Sequence, residues 1–178
     1  TSVDYMFNRS TINGVLSNWN ISSLTDGTKM FASGNYDNYG ATINSDISWL
    51  DTSGITNWSN MFRDTTINIE FETEWFDVSE IINWDGLFYG ADFNLAFENI
   101  DISSATNANS MFYAASINST FNNVDISNAT SADYMFGGLT LDEDITNLNL
   151  SSVTSVDYMF NRSTINGVLS NWNISSLT

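Results

Sequence analysis

Carboxylates are the side chains here that could do acid–base or metal chemistry. The 178 residues contain no histidine and no cysteine. The usual general base, the thiolate nucleophile and the best zinc ligands are therefore missing. Asp51, Asp77, Asp101 and Asp125 each precede a serine by two residues. On neighbouring strands they would stand about 5 Å apart, which is unfavourable unless turn amides, hydroxyls or a cation offset the charge. Calcium suits such clusters because it prefers carboxylate and carbonyl oxygens. "LDEDITN", with Asp142, Glu143 and Asp144, is a further calcium candidate. The stretch from Asn35 to Asp46 has the Asn, Asp and Gly of a calcium loop, but Tyr39 occupies a ligand position and the last residue is not Glu. A column of Ser22, Ser53, Ser79, Ser103, Ser127 and Ser151 has no base beside it, so it suits hydroxyl bonding to turn backbone. A glycosidase-like acid pair would need a cleft, and the pattern predicts none. The expectation is a protein that is not an enzyme.

The elements that would hold these residues follow from a repeat. Met-Phe recurs at Met6, Met30, Met61, Met111, Met135 and Met159, with Leu87-Phe88 standing in once. The spacings of 24, 31, 26, 24, 24 and 24 sum to 153. Such self-similarity is the mark of a solenoid, whose coils cannot bury their open faces alone. The chain divides into coils 1–24, 25–55, 56–81, 82–105, 106–129, 130–153 and 154–178. A 153-residue super-repeat restarts at 154, because residues 1–25 and 154–178 are identical. By contrast, coil 1 matches coil 5 at 8 of 24 positions and coil 6 at 11.

Each coil opens on Thr, except at Ile82, and a polar residue follows three places later. That reads as a helix N-cap leading into one helical turn that carries Met-Phe inward. An apolar-Asn pair comes next, giving the column Asn13, Asn44, Asn68, Asn94, Asn118 and Asn166, with Leu141-Asp142 as the departure. A stacked amide ladder is the expected role of that column. The coil tail alternates apolar and polar, as in Val124-Asp125-Ile126-Ser127, the period-2 mark of a short half-buried strand. Extra residues fall within Ser33–Thr42 and near Glu72–Trp75, and solenoid insertions often carry binding. Tyr36, Tyr39, Trp49 and Trp75 lie in or near them and are the contact candidates.

"NMFRDTTIN", "SMFYAASIN", "NVDISNATSADYMF" and "LNLSSVTSVDYMF" resemble the roughly 25-residue repeat of mycoplasma-type surface lipoproteins, which is similar in turn to BspA-like leucine-rich-repeat proteins. The resemblance implies a leucine-rich-repeat-like solenoid on microbial cell-surface or secreted proteins, some of them adhesive, and implies no catalysis. It maps the family's Asp-apolar-Ser element onto Asp51 to Ser53, Asp77 to Ser79, Asp101 to Ser103 and Asp125 to Ser127.

Charge narrows the partners. Twenty-one acidic residues face Arg9, Lys29, Arg63 and Arg162, for a net charge of −17. Nucleic acid and anionic membrane surfaces would be repelled, and no apolar run reaches the roughly 18 residues of a span. The expected role is a structural segment of a long extracellular fibre, stalk or cell-surface protein. Its partners would be neighbouring super-repeats or identical subunits. The alternative is an adhesin-type module that binds a host protein or glycan.

Overall fold

The computed structural model describes residues 2–15, 20–34, 39–47, 50–69, 78, 80–93, 102–117, 121 and 124–177. It is a parallel β-solenoid of strand, turn and loop, with no helix among the described residues.

Strands of two residues mark each coil: β1 Thr11–Ile12, β2 Thr42–Ile43, β3 Thr66–Ile67, β4 Asp92–Phe93, β5 Ser116–Ile117, β6 Thr140–Leu141 and β8 Thr164–Ile165. β7 Ile145–Thr146 pairs with β9 Leu169–Ser170. β1 to β5 form one parallel sheet in chain order, and β6 pairs with β8. Partners such as Thr11 and Thr42, or Thr66 and Asp92, stand 31 and 26 residues apart, so the register absorbs the two insertions. These strands lie just before the Asn column, not at the alternating coil tails. Among described residues the tails contribute isolated bridges, Asp125 to Asn149 and Asn149 to Asn173.

The Met-Phe segment differs from the expected helical turn, for a hydrogen-bonding reason. The residue before Met, or before Leu87 in the coil where it stands in, has positive φ in all seven coils (Tyr5, Lys29, Asn60, Gly86, Ser110, Tyr134 and Tyr158). A second positive φ follows four residues later at Arg9, Asp64, Gly90, Ala114, Gly138 and Arg162. Each sits third in a four-residue turn, such as Val3 to Met6 and Phe7 to Ser10, closed by N–H to O bonds of 3.0 Å. That is the position where type II turns require positive φ. The remaining amides point along the solenoid axis. Asn60 N, Phe62 N and Asp64 N donate to Asp85 O, Leu87 O and Tyr89 O of the next coil at 2.9, 3.0 and 2.7 Å. A helix would direct these amides back four residues along its own segment; here alternate donors are spent on the neighbouring coil. The same ladder runs from Ser110, Phe112 and Ala114 to Asp133, Met135 and Gly137, joining the five-stranded sheet to the later coils.

In two of the coils the opening Thr is not the expected cap. Thr106 and Thr154 donate their hydroxyls to Ile82 O and Thr130 O of the preceding coil. The turn is capped instead by the following residue, as where Asp26, Asn57, Asn83 and Asn107 accept the backbone N–H two places on.

The interior is one hydrophobic cluster along the axis. Phe7, Phe31, Phe62, Phe88, Phe112, Phe136 and Phe160 stack ring on ring, with centroids 5.1 to 6.0 Å apart and interplanar angles of 1 to 11°. Trp58 and Trp84 are fully buried, and each indole N–H donates to a carbonyl three residues earlier, Ile55 O and Ile81 O. That bond removes the cost of burying a polar ring atom.

Candidate functional site

The sequence candidates separate into groups. Tyr36, Trp49, Trp75, Asn94, Asn118, Ser79, Asp77 and Asp101 lie outside the described residues. Tyr39 is 70% exposed beside Gly40, whose N–H donates to Asp64 O.

The described Asn column is a ladder. Asn44 Nδ2 donates to Asn13 Oδ1 at 2.8 Å, and Asn68 Nδ2 donates to Asn44 Oδ1 at 2.7 Å. Asn166 donates to Asp142 Oδ1 at 2.6 Å, so the one acid in the column serves as an acceptor.

The Asp-apolar-Ser element is an Asx turn. Asp51 Oδ1 accepts Ser53 N at 3.2 Å and Ser53 Oγ at 2.6 Å, and Asp125 Oδ1 accepts Ser127 N at 2.9 Å. Ser22 and Ser151 bond Asn20 and Asn149 in the same way. Ser103 occupies the equivalent position. Asp125 bridges to Asn149, an uncharged neighbour, on the side of the column that is described. Asp144 Oδ1 accepts Val168 N at 2.6 Å. Among the described residues no three carboxylates come together as a metal site. Asp142 and Glu143 help line a cavity of about 180 Å³ with Ile117, Phe121 and Leu141, where β5 and β6 do not pair.

The turn ridge, which the sequence reading did not single out, gathers more chemistry. Asp64 is buried, with its side chain 3% exposed, and Arg63 Nε stands 3.4 Å from its Oδ2. Burial raises the Asp64 pKa above its ordinary value, and Arg63 opposes that. Asp85 is raised for the same reason, against a hydrogen bond from Ser59 and the charge of Arg63. The Arg63 guanidinium also lies 4.2 Å from the Tyr89 ring centroid, a cation–π contact. Tyr89 stacks on Tyr113, Tyr113 meets Tyr134 edge-on, and Tyr134 stacks on Tyr158. At the other end of the solenoid Lys29 Nζ lies 5.6 Å from the Tyr5 centroid. The ridge is thus a file of phenols begun by a cation.

Its signal in the sequence is faint. Tyr89 and Tyr113 follow Met-Phe or Leu-Phe, whereas Tyr134 and Tyr158 precede it, so no single column contains the file. Gly137 permits the crossing, because a Cβ there would stand 2.6 Å from Tyr113 Cδ2.

No helix among the described residues is long and apolar enough to cross a membrane. No curated protein and no solved structure matches the chain. Residues 1–91, 33–142 and 115–178 match a family described as Mycoplasma protein of unknown function, DUF285. Together these matches span the repeat from the first Met-Phe turn to the last, and the chain belongs to that family.

Proposed function

We propose that this chain is a structural segment of a long extracellular fibre, stalk or cell-surface protein in which the 153-residue unit recurs in tandem. The observation that supports it is one sequence held in two settings. Residues 1–24 carry coil 25–55 on one face, and residues 154–178 carry coil 130–153 on the other. Ile12 is 6% exposed in the first setting, while its counterpart Ile165 is 38% exposed in the second. Met6 is 51% exposed, and its counterpart Met159 is 5% exposed. Between them the two copies display both faces of a single coil engaged. A tandem run of the unit needs that coil and no new interface.

At about 4.8 Å per coil, six coils advance about 30 Å. A chain carrying residues 1–178 followed in frame by 26–178 should lengthen by that amount in small-angle X-ray scattering, without widening. Two independent globules, or no axial growth, would refute the tandem reading. Immunogold labelling of intact cells tests the surface location. Kinship with BspA-like leucine-rich-repeat surface proteins belongs to the same proposal, and catalysis forms no part of it. The acidic surface fits a fibre kept soluble by lateral repulsion.

A second reading, an adhesin gripping a host protein or glycan, draws on exposed Tyr39. Unchanged cell binding by Tyr39→Ala would remove that contact from the proposal.

A further inference from the structure

The ridge phenols are placed for a covalent reaction with one another. Tyr89 and Tyr113 stack with centroids 5.0 Å apart and planes 24° off parallel. Tyr134 and Tyr158 stack at 5.0 Å and 12°. Members of each pair are 24 residues apart and belong to neighbouring coils. Tyr113 and Tyr134 meet at 6.0 Å and 69°, edge to ring, which aligns their ortho carbons less well. Tyr89, Tyr113 and Tyr134 are half-buried and Tyr158 is 62% exposed. A solvent-borne oxidant therefore reaches the phenols while the backbone holds them in place. Alternate backbone amides tie the coils together on this same ridge, as in Gly90 N to Tyr113 O and Tyr134 N to Asp157 O.

We propose that Tyr89–Tyr113 and Tyr134–Tyr158 are oxidative cross-linking sites, joined as dityrosine by a one-electron oxidant such as a peroxidase using hydrogen peroxide. Each phenol gives up one electron and one proton, leaving two phenoxyl radicals. These couple through a carbon ortho to each oxygen, and the two ortho hydrogens then move to the oxygens as aromaticity returns. Hydrogen peroxide takes the two electrons and two protons removed at the start and becomes two water molecules. The product is a staple between adjacent coils in a chain that has no cysteine. This inference depends on the geometry of the ridge and not on the tandem reading.

The test uses the whole 178-residue chain, dilute, with horseradish-type peroxidase and limiting hydrogen peroxide. Trypsin and a Glu-specific protease then release fragments 81–98, 99–143 and 144–162, which hold the ridge tyrosines, while Tyr5 falls in 1–9 and Tyr39 in 30–63. Mass spectrometry of the monomer fraction should find 81–98 joined to 99–143, and 99–143 joined to 144–162, each two hydrogens lighter than the sum. Tyr113→Phe should remove the first link and Tyr158→Phe the second, with circular dichroism unchanged. Doubly stapled chain should melt higher than untreated chain. Links mainly through Tyr5 or Tyr39, links confined to covalent dimers, or oxidation without links between neighbouring coils would overturn the proposal.

Discussion

Replacing Gly90 by alanine should unfold the middle of the solenoid more readily than replacing Gly138, although both glycines hold the same turn position. Both have positive φ, 64° and 71°. An L residue there costs about 1–2 kcal/mol, a cost that Ala114 already bears at φ 54° in the coil between them. Gly138→Ala should therefore lose about that much, because its new Cβ would meet nothing nearer than Ala114 Cα at 3.3 Å. At Gly90 the new Cβ would stand 2.2 Å from Asp64 Oδ1, so the carboxylate must move. Asp64 is buried, tied to Arg63, and fixed through its backbone to Tyr89 O and Gly40 N. Displacing a buried polar group from its partner adds about 1–3 kcal/mol. The expected loss for Gly90→Ala is about 2–5 kcal/mol, read as a lower urea midpoint at unchanged slope. An Asp64→Ala background isolates the clash, since Gly90→Ala should then cost no more than Gly138→Ala. Equal losses for the two glycine variants in the parent chain would refute the reasoning.

Acidification should stabilise the chain. Asp64 and Asp85 have folded pKa values above their unfolded ones, so each contributes stability that is present at low pH and lost as pH rises through the raised folded value. The −17 net charge acts in the same direction through self-repulsion. Melting temperature should rise as pH falls from neutral through the raised values toward the ordinary carboxylate value of 3.8, and rise less in Asp64→Asn; a fall would contradict the burial of these groups. Phe112→Ala removes a fully buried ring from inside the column and should cost about 3–5 kcal/mol, against less for Phe7→Ala at a half-buried ring; equal costs in urea unfolding would show that stacking depth does not matter. Asn44→Ala breaks both ladder bonds it shares with Asn13 and Asn68. It should cost about 1–3 kcal/mol in the same assay, at about 0.5–1.5 per bond, and no loss would make the ladder ornamental.

The repeat was legible because stacking copies it into the register. The offsets of 31, 24, 26 and 24 between paired strands β1 to β5 carry the same two insertions as the Met-Phe spacing, the 31 one interval earlier because the extra residues of the second coil precede β2. Local conformation was harder to read. Asp-apolar-Ser shows the polar spacing of two that a strand would show, yet in Asp51 and Asp125 it arises from an Asx turn, a bond from a side chain to the residue two ahead. The Met-Phe turn looked helical because a one-turn helix and a pair of tight turns both put two adjacent side chains inside. Where alternate amides go is settled by the coil above, which propensity does not contain.

Residue order alone determines the period, the identity of the first and last coils, the absence of thiol and imidazole chemistry, and the inward columns of Met, Phe and Trp. These follow from local pattern, since each coil must turn the same side chains inward for its neighbours to stack. Tertiary structure alone decides what lies along the ridge: Arg63 over Tyr89, Asp64 against Gly90, and the crossing from Tyr113 to Tyr134 above Gly137. Those contacts join different columns of different coils. The angle at which one coil sits on the next sets them, and side-chain packing summed over the whole stack fixes that angle.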